Sequence, residues 1–144
     1  MKELRTIIAI QATAAEVWRV LMDFESYPDW NPFVRSIEGA TTPGSKLKVR
    51  LQQGDGKAMQ FRPRVMVLEP EVEFRWLGHL LVPGLFDGEH YFRIEKSDGD
   101  GVRFVQGERF GGLLVPLFSK MIDERTAAGF EAANLALKER VETR

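Results

Sequence analysis

The sequence contains no cysteine, which excludes disulfides and thiolate metal sites. It has only two histidines, His79 and His90, and no H-x-x-x-H or D-x-D cluster accompanies them. Neither a metal centre nor any other cofactor is expected. A surplus of one charge is lacking too: 20 Lys and Arg stand against 21 Asp and Glu, a formal net charge of −1. That balance removes the electrostatic reason to bind nucleic acid or an anionic membrane surface. No apolar run approaches the ~20 residues that span a bilayer, and the opening M-K-E-L-R-T does not read as a secretion signal. The expectation is therefore a cytoplasmic protein without stable membrane insertion. G-x-S-x-G, Walker and G-x-G-x-x-G motifs are absent, so serine hydrolysis, phosphoryl transfer and dinucleotide chemistry lose their usual supports. No repeat or linker divides the 144 residues, of which 44% are hydrophobic. A single domain, 1–144, with one core is expected.

What is present alternates strongly. Glu3 to Gln11 has the period of a first strand. Thr13 followed three residues later by Glu16 is a capping-box pattern opening a helix whose buried stripe is Val17, Trp18 and Leu21. Pro28 and Pro32 then limit the chain to a second short helix or turn, within which Phe24, Tyr27, Trp30 and Phe33 cluster. Strand character resumes at Val34 to Gly39. From Lys46 the chain reads as successive hairpins, with inward positions at Leu47, Val49 and Leu51, then across 59–67 with Phe61, then at Phe74 and Trp76, at His90, Phe92 and Ile94, and at Phe104, Gln106, Glu108 and Phe110. This predicts an antiparallel sheet of about seven strands: one N-terminal, then two short helices, then six more.

Gly111-Gly112 ends the last strand and Pro116 suits a first helical turn. Nothing from there to about Val141 stops a helix, and at ~1.5 Å per residue it is long enough to cover the sheet's apolar face. On an uninterrupted helical wheel, Lys120, Asp123, Glu124, Glu131, Asn134 and Lys138 share one arc. Phe118, Met121, Ile122, Gly129, Ala132, Ala133 and Ala136 share the other, with Arg125 among them. That inner face is apolar but thin. It implies either very close packing against a sheet or room left for something that is not protein.

The motifs V-W-R-V-L-M-D-F-E-S-Y-P-D-W-N-P-F-V, F-R-W-L-G, G-E-H-Y-F-R-I-E and E-R-F-G-G-L-L-V-P-L, followed by an Ala-rich helix, resemble the SRPBCC/START-like superfamily. The closer likeness is to its polyketide cyclase/dehydrase and lipid-transport group. The resemblance covers almost the whole chain. It implies an α+β helix-grip fold of the START/Bet v 1 kind: a curved sheet wrapped around the long C-terminal helix, with a deep hydrophobic cavity between them. Function follows less directly, since one fold hosts many activities.

Strand parity places His90, Gln106 and Glu108 on the cavity side with Phe74, Trp76 and Phe92. A hairpin turning at Asp98-Gly99-Asp100 sets His90 across from Glu108. That pair is either an acid/base couple or a self-satisfied polar pair shaping the pocket. Arg125 is expected to face inward, either paired with Glu108 or holding a ligand's carboxylate or carbonyl. Trp30, Phe33, Trp76 and Phe92 read as core residues or as a ligand platform, roles that overlap where one wall of the core is one wall of the cavity, and Phe61 and Phe110 are expected to join that wall. Phe118, Ile122, Gly129, Ala132 and Ala133 are expected to face them from the helix. The apolar connection 80–86 reads as a lid over the mouth together with 112–117, hinged at Gly84, Gly88, Gly111 and Gly112, or else as a homodimer contact or a membrane-touching lip.

Three functions are consistent with this: binding or transport of a small hydrophobic molecule (a lipid, polyketide, aromatic or isoprenoid); a polyketide cyclase or dehydratase using His90 and Glu108; or a co-chaperone module like the Hsp90 activators. No charged docking surface supports the third.

Overall fold

The computed structural model describes residues 1–80, 82–97 and 99–143. Strand β1 (Lys2–Ile10) leads into helix α1 (Ala14–Met22), a single 3-10 turn (Phe24–Ser26) and the one-turn helix α2 (Tyr27–Trp30). The capping box forms as its residue types dictate. Glu16 N–H donates to Thr13 Oγ1 (3.1 Å), and Thr13 N–H donates to Glu16 Oε1 (2.9 Å). Pro28 sits at the start of α2, where its missing N–H costs nothing. Asn31 then turns the chain: its Oδ1 accepts from the backbone N–H of both Phe33 and Val34 at 2.9 Å.

The remaining strands are β2 (Val34–Glu38), β3 (Lys48–Leu51), β4 (Met59–Phe61), β5 (Arg64–Glu69), β6 (Glu73–His79), β7 (Asp87–Lys96) and β8 (Val102–Gly111). The five-stranded sheet has the order β1-β8-β7-β6-β5 and the three-stranded sheet β2-β3-β4. All pairs are antiparallel. The single strand expected across 59–67 is two, because Pro63 lacks a ladder N–H. Its carbonyl is still used, accepting from Leu47 N–H at 2.8 Å. The chain thus crosses from the small sheet to the large one at this residue, giving eight strands among the described residues in place of about seven. Backbone bonds Gly44 N–H to Val65 O and Val65 N–H to Ser45 O, each 2.8 Å, stitch the sheets together. Register shifts at Val34/Ser36 and Val65/Val67 add the local bend that curves the whole around the helix.

The expected long helix is present but not uniform. Helix α3 (Val115–Met121) runs into a π turn (Ile122–Thr126) and then α4 (Ala127–Glu142). A π turn inserts one residue into the helical phase, rotating everything after it by ~100°. The buried residues of α4 are accordingly Phe130, Ala133, Asn134, Leu137 and Val141, each one position on from where the uninterrupted wheel put the inner face. This corrects several expectations. Ala132 is exposed and Asn134 is buried instead of solvent-facing; Arg125, inside the π turn, and Met121, which precedes it, are exposed as well. The thin face is not the inner one: Phe130, Leu137 and Val141 present large apolar groups to the sheet.

Gly129 lies at the edge of the contact, where a Cβ would stand 2.5 Å from Cδ1 of Phe33. Close packing, not open space, accounts for that glycine. Near the C-terminus, Lys138 Nζ donates to Ala9 O (2.8 Å) and Gln11 N–H donates to Glu142 Oε2 (2.7 Å), tying α4 to β1.

Candidate functional site

Parity along β7 and β8 decides which side chains meet the helix, and the register pairs His90 with Glu108, Phe92 with Gln106 and Trp76 with His90. His90 is 1% exposed and enclosed by rings, with centroids of Phe92 at 4.6 Å, Phe130 at 4.8 Å and Trp76 at 4.9 Å. Phe33 continues the layer, 5.3 Å from Phe130. Phe74 stacks on Phe92 at 5.8 Å, and Ala133 is buried behind these rings. The space between sheet and helix is thus occupied by aromatic groups in van der Waals contact. Hollows open on the outside, one beside Phe24, Pro28 and Ile37 and another beside Lys2, Gly111 and Val115.

A polar line crosses this apolar layer. His90 Nε2 lies 2.9 Å from Gln106 Oε1, Gln106 Nε2 donates to Asn134 Oδ1 (2.7 Å), and Asn134 Nδ2 donates to Thr6 Oγ1 (2.8 Å). Thr6 Oγ1 in turn donates to the backbone carbonyl of Gln106 at 2.7 Å, across the β1–β8 ladder. On the other side of the imidazole, Nδ1 is 3.3 Å from Glu108 Oε1. The Glu108 side chain keeps 16% exposure, and its Oε2 occupies the space where Gly88 would carry a Cβ. Gly78 pairs with Gly88 in the ladder and faces the ring of Phe61. Neither glycine adds a side chain of its own here: the Glu108 carboxylate takes the space at Gly88, and Phe61 and Pro63 cover Gly78. Thr6, Asn134 and Phe130 escaped the sequence reading: Thr6 is a single hydroxyl on an ordinary strand, and the other two were hidden by the wheel's phase. Gly88 was legible in principle, two residues before His90 and of the same parity.

Other expected site residues lie apart. Phe110, Ile122 and Phe118 join Leu4, Phe86 and Val115 in a second, smaller cluster. Trp30 is half-buried beside Tyr27, and its Nε1 is the one buried side-chain polar atom without a hydrogen-bond partner among the described residues. Arg125 makes no ion pair among the described residues, so neither an inward Arg125 nor its pairing with Glu108 holds. Among the described residues no three His, Asp or Glu side chains converge as a metal site.

The apolar loop does meet the helix entrance. Leu113 N–H donates to Gly84 O (3.1 Å) and Leu114 N–H to Leu85 O (2.9 Å), while Phe86 packs on Phe118 at 5.4 Å. Leu113 and Leu117 remain 84% and 75% exposed. Gly84 and Gly112 have φ of +89° and +111°, suited to a turn, but Gly88 and Gly111 pair within strands and are not loop hinges. Leu81 and the Asp98 end of the hairpin turn lie outside the described residues.

The outer face of the sheet is organised by charge. Arg75 and Arg93 both lie over the Tyr91 ring, at 4.9 and 4.6 Å from its centroid, and the Tyr91 hydroxyl donates to Glu3 Oε2 (2.6 Å). Burial first, and then the Glu3 carboxylate, push the phenol up to about 12. Burial alone would raise the Glu73 carboxyl, but hydrogen bonds and charge from Arg75 and Arg93 outweigh it and hold the group below the ordinary range. This lattice is self-neutralising and serves the sheet, not a site.

Comparison with known proteins places this geometry. No curated protein matches the chain. Among solved structures, TTHA0849 from Thermus thermophilus is 20% identical with a TM-score of 0.76, covering 99% of this chain and 98% of its own. The Zhui aromatase/cyclase from a Streptomyces species is 17% identical with a TM-score of 0.80, over 99% and 94% of the two chains. Ara h 8.0201 is 17% identical with a TM-score of 0.67, over 99% of both. At these identities the likeness establishes the shared helix-grip fold. The model of one family matches residues 1–142, and by that match the chain belongs to the polyketide cyclase/dehydrase and lipid-transport family.

Proposed function

We propose that this chain binds a small hydrophobic molecule (a lipid, polyketide, aromatic or isoprenoid) between the sheet and the C-terminal helix, as a carrier acting in the cytoplasm. The observation that supports this most is the polar line through the aromatic layer. A core built only for stability has no need of buried His90, Gln106 and Asn134, since each must be desolvated and then matched. A site that binds an apolar molecule in one orientation does need a few convergent polar groups in an apolar wall. The ligand takes space that Phe33, Phe130 and their neighbours hold in this conformation, and enters beneath the 82–86 and 112–117 segments. Its apolar area drives binding at ~25 cal/mol per Å². Native mass spectrometry of protein purified from its own host tests this. A co-purifying apolar molecule is expected. Protein that arrives empty and binds no apolar fluorophore would overturn the reading.

A second reading is favoured by one specific contact, His90 Nδ1 within 3.3 Å of Glu108 Oε1. It makes the pair the acid/base of a cyclase or dehydratase acting on a polyketide-like substrate. His90→Ala separates the two. Binding that survives within about tenfold, the weight of one hydrogen bond, together with complete loss of turnover, would establish the enzyme over the carrier.

A further inference from the structure

The buried polar line permits a complete accounting of its protons. A backbone carbonyl only accepts, so the Thr6 hydroxyl hydrogen is committed to Gln106 O (2.7 Å). Thr6 Oγ1 can then only accept from Asn134, which must present its Nδ2 (2.8 Å) and turn Oδ1 toward Gln106. Gln106 must answer with Nε2 (2.7 Å), an orientation that also suits its second acceptor, the Phe130 carbonyl at 3.4 Å. That leaves Gln106 Oε1 facing His90 Nε2 at 2.9 Å, so Nε2 carries a hydrogen. Reversing every amide would leave Thr6 Oγ1 and Gln106 O as two acceptors 2.7 Å apart with no proton between them. The relay therefore has one consistent orientation. It ends with His90 Nδ1 as the ring atom free to exchange a proton, 3.3 Å from Glu108 Oε1.

In this conformation His90 is closed to a ligand: Nε2 is bonded to Gln106, the residue is 1% exposed, and the rings of Trp76, Phe92 and Phe130 enclose it. Glu108 is different. It is the one member of the line that lies against Gly88, its side chain is 16% exposed, and its Oε2 stands where a Cβ at Gly88 would be.

We propose that Glu108 Oε2 is the atom that meets a hydroxyl or ketone oxygen of the bound apolar molecule, and that His90 is a positioning residue locked in its Nε2–H tautomer by the Gln106–Asn134–Thr6 relay. This rests on the ligand-binding reading above and narrows it to apolar molecules bearing such an oxygen. A proton carried on Oε2 itself would make the carboxyl a donor to a ketone, with Oε1 left facing His90 Nδ1. Without it, the carboxylate accepts from a hydroxyl.

The test has two arms. Imidazole ¹⁵N NMR on the ligand-free protein, with His79→Gln assigning the two rings, reads the tautomer. A protonated Nε2 is expected in the wild type and in Thr6→Ser, which keeps the hydroxyl, and a mixed tautomer in Thr6→Val, which does not. A bare Nε2 in the wild type, or no change in Thr6→Val, would sink the relay. The second arm compares 2-naphthol with naphthalene. Glu108→Ala is expected to weaken 2-naphthol roughly tenfold, the effect of a hydrogen bond to a charged group, and to leave naphthalene unchanged. Equal loss of both compounds, or of neither, would remove Glu108 from ligand contact. If neither compound binds the wild type, the carrier reading and the Glu108 contact fall together, while the tautomer assignment stands or falls on the first arm.

Discussion

Glu73 shows how single residues stabilise the outer face. Its carboxylate accepts from Arg75 Nε (2.7 Å) and Arg93 Nε (2.9 Å), and these partners hold its pKa below the ordinary 4.5. A lowered folded-state pKa means that the folded chain binds fewer protons than the unfolded one around that range. The stabilisation is fully present above about pH 4.5 and is lost as pH falls through the lower folded value. Glu73→Gln should therefore lower stability by about 2 kcal/mol at pH 7, by weakening bonds to two partly buried guanidiniums. The deficit should shrink below pH 4.5, where the wild type loses the same contribution. Urea titrations of both proteins at pH 7 and pH 3 measure it, and a pH-independent difference would show that packing, not charge, is what Glu73 supplies.

Among the elements, the π turn has the largest consequence. It sets the phase of α4, and so decides whether Phe130, Leu137 and Val141 or the residues preceding them face the sheet. Deleting exposed Glu124 restores an uninterrupted α-helix and rotates α4 by ~100°. At roughly 1.5–3 kcal/mol for each large side chain turned out of the core, three such losses rival the whole stability of a domain this size. The deletion variant is expected to lose its cooperative thermal transition, whereas Glu124→Ala keeps it. A deletion variant that melts like the wild type would mean that the phase is set elsewhere, by the Lys138–Ala9 and Glu142–Gln11 ties to β1. The other element boundary of consequence, Pro63, was visible as a residue but not as a crossing. A strand with one unusable donor reads in sequence like any edge strand. Only the partner of its carbonyl, Leu47, reveals that the chain changes sheets there.

For the molecule as a whole, the question is what the aromatic layer is for. Phe33 is 1% exposed and fills the contact between Gly129 and Phe130. Truncating it to Ala should cost about 3–5 kcal/mol and leave a cavity at the position assigned to the ligand. If that position is right, Phe33→Ala should bind an apolar fluorophore more tightly than the wild type and recover part of its melting temperature when saturated with it. Destabilisation with unchanged fluorophore binding would locate the ligand outside the sheet–helix interface, with the exposed Leu113 and Leu117 as the next surface to examine.

The sequence by itself determined the strand alternation, the Thr13 capping box, the order of elements, the helix-grip family and the inward parity of His90, Gln106 and Glu108. The alternation, the capping box and the parity are carried by residue types at fixed spacing within one strand or one helix, and the family by the resemblance of several motifs in order along the chain. Only the tertiary structure decided that one extra residue in the helix turns Ala132 outward and Asn134 inward, with Arg125 exposed in the π turn itself. It also decided that Phe33 takes the room beside Gly129, and that Thr6 closes the line to His90 from 84 residues away in the chain. Such contacts depend on helical phase and on partners distant in sequence, and neither leaves a periodic trace in the local pattern of residues.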